Sequence, residues 1–158
     1  MTYTIIHHSN NGHYLAKVSQ AATLDALPKT IWDKISNIIG ITEWVIDVKK
    51  TEFLSKTRRG IGAIRKITFL DQSQVIEYVV GWKPENYLSY IATSGLPLDA
   101  YHATLDILPK GKMSQLTWTS FLISDSSDKK QFEEFLSFID VFYEKSLQNL
   151  KAKIEKAT

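Results

Sequence analysis

The chain has no cysteine, which removes disulfide frameworks, thiol catalysis and cysteine-ligated zinc together. It has no surplus of either charge: 19 Lys and Arg stand against 17 Asp and Glu, for a net +2. With acids and bases interspersed, no basic stripe marks a nucleic-acid partner and no basic amphipathic helix marks a membrane surface. No apolar run approaches the roughly eighteen residues of a membrane span, and no basic segment followed by an apolar run opens the chain. A soluble, non-exported, cytoplasmic protein without integral membrane association is the expectation. Ser-His-Asp arrangements, phosphate loops and metal signatures are also missing. Gly60-x-Gly62 lacks a third glycine and leads to no helix, so it reads as a hairpin turn. His7, His8 and His13 lie close together, but no carboxylate stands at fixed spacing beside them and an adjacent pair on an extended segment points to opposite faces. They read as solvated, and neither a metal nor a cofactor is expected.

What the chain does have is one long amphipathic helix at its end. Phe132, Phe135, Leu136, Ile139, Phe142, Tyr143, Leu147, Leu150 and Ile154 recur at three- and four-residue steps, with lysines and glutamates between them. Ser127 or Asp128 caps the first turn, and no Pro or Gly interrupts the run as far as Lys156. At 1.5 Å per residue it spans roughly 40 Å. So long and aromatic a stripe needs a broad apolar partner, and the preceding sequence supplies mostly strands.

In a chain of 158 residues, 44% of them hydrophobic, one domain suffices. We expect residues 14–158 to form it, with residues 1–13 as a loosely attached extension or a short extra strand carrying an Asn-Asn-Gly turn. Tyr14 to Leu24 reads as a first strand. Pro28 opens a helix to Ile39, stopped by Gly40, and a second short helical turn runs from Ile41 to Trp44. Strands are then expected at Ile46–Leu54, Ala63–Phe69, Val75–Val80, Tyr87–Thr93, Tyr101–Ile107 and Leu116–Phe121, separated by turn signals such as Asp71-Gln72-Ser73 and Lys83-Pro84-Glu85-Asn86. The fold class is α+β: a curved antiparallel sheet of about seven strands around the long helix, with two short helices after the first strand.

Two residues break the apolar rows. Arg65 sits among Ala63, Ile67 and Phe69, and Glu77 sits between Val75 and Val79. Because their strands are joined by a short turn, the two can meet across the pair. If the row faces inward they form a buried ion pair, a better candidate for a polar floor that orients a ligand than for a source of stability. If it faces outward they form an exposed cross-strand salt bridge. The loop Ser94-Gly95-Leu96-Pro97-Leu98 reads either as a gate over a cavity mouth or as a tight turn pinned by apolar contacts.

A strongly curved sheet gripping one helix has more inner surface than the helix covers, and the remainder is filled by aromatic side chains or left as a pocket. Trp32, Trp44, Tyr90, Tyr101, Trp118, Phe135 and Tyr143 are the large candidates, and aromatics with a polar handle suit a cavity that orients one polar group of an apolar ligand. Arg65, Ile67, Glu77, Leu96, Leu98 and Ile139 complete the expected ligand-binding set.

From Asp25-Ala26-x-Pro28-x-x-x-Trp32 onward the chain resembles the SRPBCC superfamily of START-like, birch-pollen-allergen-like helix-grip proteins, in particular its bacterial polyketide cyclase/dehydrase branch. The likeness continues through Trp44, Gly62-Ala63-Ile64-Arg65, Val75-x-Glu77 and Leu88-Ser89-Tyr90. It runs on through Gly95-Leu96-Pro97-Leu98-x-x-Tyr101-x-Ala103-Thr104 and Leu116-Thr117-Trp118 to Leu147-x-Asn149-Leu150-Lys151, covering roughly residues 14–156. It departs at Val45-Ile46, where the family commonly has a polar residue and Pro, and in the first thirteen residues. The resemblance implies a β-α-α-β6-α helix-grip fold with a deep cavity between sheet and last helix, used across the superfamily for lipids, polyketides, sterols, quinones and plant hormones. It implies that Arg65 and Glu77 belong to that cavity, and it implies no activity.

Three functions follow as expectations. The first is binding or carriage of a small hydrophobic or amphipathic molecule. The second is a polyketide cyclase or dehydratase, with Arg65 as the donor to a developing enolate, Glu77 as base and Tyr90 or Tyr101 as acid. The third is a module whose groove takes a protein partner. His102 alternates out of phase with the apolar face of its strand and is not a catalytic candidate.

Overall fold

The computed structural model describes residues 2–8 and 11–157. Asn10 of the expected turn and the side chain of His7 lie outside the described residues. The elements in order are β1 (Tyr3–His8), β2 (Tyr14–Leu24), α1 (Pro28–Ile35), a 3₁₀ turn (Gly40–Glu43), β3 (Val48–Phe53), β4 (Ile64–Phe69), β5 (Gln74–Lys83), β6 (Tyr87–Ser94), β7 (Leu98–Lys110), β8 (Met113–Ser124) and α2 (Lys129–Lys156). The strands form one antiparallel sheet in the order β1-β2-β8-β7-β6-β5-β4-β3. This is the expected α+β helix-grip architecture, with eight strands in place of about seven. The additional one is β1, which pairs with β2 from Tyr3 opposite Val18 to His8 opposite Tyr14.

Period-two burial shows why these segments are strands. Tyr101, Ala103, Leu105 and Ile107 on β7, and Leu116, Trp118, Ser120 and Leu122 on β8, are buried while most of their neighbours are exposed or half-buried. Register shifts between Ile76 and Glu77 and between Val79 and Gly81 bend β5 against β6, as bulges do, and help to curve the sheet. Gly81 fits there because a Cβ would run into the hydroxyl of Ser89.

α2 has no proline or glycine in its 28 residues. The Asp128 side chain accepts from the Gln131 amide at 3.0 Å, and Lys153 and Lys156 complement the dipole at the other end. Its Phe132, Leu136, Tyr143, Leu147, Leu150 and Ile154 are buried. Polar bonds fix its setting: Gln20 Nε2 donates to Asp140 at 2.9 Å, Lys151 Nζ to the Thr23 carbonyl at 2.6 Å, and Asn149 Nδ2 to the Trp44 carbonyl at 3.0 Å. Among the described residues no helix is long and apolar enough to cross a membrane.

Two expected boundaries are corrected. α1 ends at Ile35, four residues early, with the Ser36 amide on the Trp32 carbonyl. In a continuous helix the Ile38 carbonyl would take the amide four residues on; here it is free to accept from Arg65 Nη1 at 2.7 Å. Gly40 opens the 3₁₀ turn instead of closing a helix. The next strand starts at Val48, not Ile46, because Asp47 stands at a φ of 59° that no strand residue adopts. Near the N-terminus, His8 stacks on Tyr14, and His13 Nδ1 lies 2.9 Å from Asp99 Oδ2.

Candidate functional site

Between the sheet and α2 lies a cavity of about 370 Å³, within the range of roughly 300–1,000 Å³ usual for small-molecule sites. β4 contributes Arg65, Ile67 and Phe69; β5 contributes Val75 and Glu77; β6, Leu88 and Tyr90; β7, Tyr101 and Leu105; and β8, Trp118. Phe135, Phe138, Ile139 and Phe142 come from α2, and Ile35, Ile41, Trp44 and Val45 from the short helical segments. The buried residues form an inner end. The exposed ones (Asp47, Leu70, Asp71, Ser73, Gly95, Pro97 and Phe138) form a mouth.

Arg65 and Glu77 point inward, each only 7% exposed. They sit directly opposite each other across β4 and β5. Arg65 Nε and Nη2 both donate to Glu77 Oε1, at 2.9 and 2.7 Å, while Nη1 takes the Ile38 carbonyl and the guanidinium lies 5.1 Å from the centre of the Tyr90 ring. Burial pushes the Glu77 carboxyl above its ordinary value, and the charge and hydrogen bonds of Arg65 pull it back.

A second polar group adjoins the first. The Trp118 indole N–H, which can only donate, is 3.1 Å from the Tyr90 hydroxyl, so Tyr90 accepts from it. Tyr90 is 3.4 Å from the Tyr101 hydroxyl, and Tyr101 bonds closely to Tyr143. Burial raises all three phenols above their ordinary value, so they keep their protons and serve as donors rather than bases. The Trp44 indole N–H is buried without a hydrogen-bond partner among the described residues.

Of the residues expected from the sequence, Trp44, Arg65, Ile67, Glu77, Tyr90, Leu96, Tyr101, Trp118, Phe135 and Ile139 meet at this cavity. Trp32, Leu98 and Tyr143 do not line it. Trp32 packs edge-on against Trp82, 5.0 Å between centroids. Leu98 is the first residue of β7, paired with Ser124. Tyr143 lies behind the lining, stacked on Trp118 at 4.0 Å and bonded to Tyr101. Phe138 and Phe142 also line the cavity: Phe142 belongs to the apolar stripe of α2 but was not expected here, and Phe138 stands outside that stripe, three residues after Phe135. Leu70, Asp71 and Asp47 at the mouth carried no such signal. The loop at Gly95 is a tight turn and a piece of the mouth: Gly95 has a φ of 98° and lies against the Gln74 backbone.

The chain matches the family model described as polyketide cyclase / dehydrase and lipid transport over residues 16–155. It belongs to this family. The SRPBCC-type fold recurs in solved structures. The protein XoxI from Bacillus cereus is 17% identical with a TM-score of 0.74, the match covering 87% of this chain and 94% of that one. A protein from Thermus thermophilus is 16% identical with a TM-score of 0.72, covering 90% and 99%. A protein from Thermobifida fusca is 17% identical with a TM-score of 0.75, covering 89% and 93%. At such identities the likeness is one of fold. No curated protein matches the chain.

Proposed function

We propose that this protein binds and carries a small amphipathic molecule in the cavity between α2 and the sheet. The observation that carries this reading is a predominantly apolar chamber of about 370 Å³ whose inner end holds the Arg65–Glu77 pair and the hydroxyls of Tyr90 and Tyr101. Apolar walls supply affinity in proportion to the area they remove from water, and a few fixed polar groups orient the guest. Ile67, Leu96, Phe135 and Ile139 would contact its apolar part. Tyr90 and Tyr101 would donate to an oxygen of its polar part.

Holding is favoured over turnover by the state of the polar groups. A cyclase needs a base free to take a proton from carbon. Here Glu77 Oε1 is already the acceptor of two Arg65 bonds, and the tyrosines hold their protons. Native mass spectrometry of freshly purified protein, followed by extraction of any excess mass, tests the reading. A discrete adduct of a few hundred daltons, or a melting temperature raised by apolar probes, is the expected result. A bare mass together with no response to any probe overturns it.

A further inference from the structure

Among the described residues, the charged side chains lining the cavity are one cation and three acids: Arg65, with Glu77 at the inner end and Asp47 and Asp71 at the mouth. Arg65 is already neutralised. Glu77 takes two of its N–H groups, the Ile38 carbonyl takes a third, and the guanidinium rests on the Tyr90 ring. No unpaired positive charge is left on the lining, among the described residues, to meet an anion. At the mouth both acids are exposed, and Asp71 accepts from the hydroxyl and amide of Ser73, which hold its carboxyl below the ordinary value. The nearby Lys49 is directed to Gln72 at 3.4 Å and is not part of the lining.

What the inner end offers a guest is donors. The hydroxyls of Tyr90 and Tyr101 lie together there. Tyr90 accepts from Trp118, so its own proton remains for Tyr101 or for a guest. A ketone or hydroxyl oxygen satisfies such donors without bringing charge. A carboxylate satisfies them too, but it must leave water beside Glu77 with no free cation to compensate it.

We propose that the cavity selects its ligand by charge, taking amphiphiles whose inner polar group is a neutral carbonyl or hydroxyl and whose mouth end is neutral or cationic, and rejecting carboxylates. This rests on the ligand-binding reading above and narrows it to a chemical class. Fatty-acid-like anions are excluded by the same pair, Arg65 and Glu77, that a charge count alone would take for an anion hook.

Displacement of Nile red, a neutral apolar dye, by four chains of equal length tests the proposal: dodecanol, methyl dodecanoate, dodecylammonium and dodecanoate, below their micelle concentrations and near neutral pH. The alcohol, ester and ammonium should displace the dye at concentrations at least about tenfold lower than the carboxylate, the ratio expected for one uncompensated charge at a partly solvated site. The double substitution Asp47→Asn/Asp71→Asn, at exposed residues of the mouth, where an amide oxygen at position 71 can still accept from Ser73, should bring the ammonium to within about twofold of the alcohol, since exposed ion pairs contribute little each. Glu77→Gln frees Arg65 and should improve dodecanoate selectively. Dodecanoate displacing the dye as well as its methyl ester overturns the charge selection while leaving the cavity intact. Failure of Nile red and of every other apolar probe to bind, together with a bare native mass, overturns the ligand-binding reading, and this one with it.

Discussion

α2 meets the sheet in two different ways. Towards β2 and β8, Phe132 stacks on Tyr14 and Tyr143 on Trp118, with Leu136, Leu147, Leu150 and Ile154 buried in the core and none of these helix residues on the cavity. Towards β4 and β5, Phe135, Phe138, Ile139 and Phe142 line the cavity together with Arg65 and Glu77. Trp118 marks the divide, with one face against Tyr143 and its N–H on Tyr90. Close packing is what makes a core stable. Leaving one half of the interior unpacked gives up part of that stability, and the polar pair placed there adds little back. The difference between the halves is therefore a division between holding the fold and holding a guest, and it predicts that equivalent substitutions on the two sides act on different properties.

The largest effect should come from breaking the ion pair from one side. Arg65→Leu leaves Glu77 buried without its counter-charge, and at neutral pH should cost about 3–5 kcal/mol of stability in chemical denaturation. Arg65→Leu/Glu77→Leu should recover most of it, since a buried pair often adds no net stability over apolar side chains of similar size. The sign of the pH dependence follows from burial. Folded Glu77 keeps its proton to a higher pH than the ordinary 4.5, so between that value and the raised one the native state binds more protons than the unfolded chain. Stability then falls as pH rises through this window. Without Arg65 the window widens upward, so the single variant should be closest to wild type near pH 4.5. A double variant no more stable than the single would make the pair structural, and would undo the contrast between the two sides.

Next in size is the packed side. Leu147, 1% exposed, should lose about 2–5 kcal/mol on replacement by Ala. Phe138, on the same helix but 58% exposed at the mouth, should change stability by no more than about 0.5 kcal/mol when made Ala. Phe138→Ala should instead weaken Nile red binding. Equal losses of stability at the two positions would show that the sides are not distinct. A smaller stability loss, about 1–3 kcal/mol, is expected for Gly95→Ala, because the position needs a positive φ and an added Cβ would meet the Gln74 carbonyl. As Gly95 is on the mouth, its replacement should also alter dye binding, which a substitution on the packed side should not do.

The elements on both sides of this division were legible in the sequence. Apolar steps of three and four indicated α2 from its Asp128 cap to Lys156, and period-two alternation indicated the middle of β7 and of β8. Alternation also showed Arg65 and Glu77 as the odd members of their rows. It did not say which way the row faces, because a strand's two faces are told apart only by what packs on them. The same limit explains Trp32 and Tyr143. Both are aromatic, buried residues on the expected faces, yet one packs against Trp82 and the other lies behind Tyr101, and neither depth nor rotation about a helix axis is written in a spacing. Asp71 comes from a turn whose residues signalled only chain reversal, and Asp47 lies just before β3, where a strand was expected. The early end of α1 was hidden for a related reason: the group that takes the Ile38 carbonyl is Arg65, far along the chain.

The smallest effect should be at the outer edge of the open side. β3 closes the sheet there, held to β4 by its ladder from Val48 opposite Phe69 to Phe53 opposite Arg65. On it Glu52 lies between Lys50 at 2.8 Å and Lys66 of β4 at 2.9 Å. Hydrogen bonds from Lys50 and then Lys66 hold its carboxyl down from 4.5 to about 2. With the folded value below the unfolded one, its contribution is complete above about pH 4.5 and is lost as pH falls towards 2. Glu52→Gln should therefore leave the melting temperature near neutral pH almost unchanged, as solvent screens exposed pairs, and flatten the acid limb of the stability curve between those values. If the pairs matter to the cavity, they do so by keeping β3 flat against β4, the strand that carries Arg65, Ile67 and Phe69 on the lining. Hydrogen exchange would then rise in β3 of the variant in acid and stay unchanged in β2, the strand on the packed side. Exchange that rises equally in both strands would mean that the two sides open together, and that the cavity side is no softer than the core it faces.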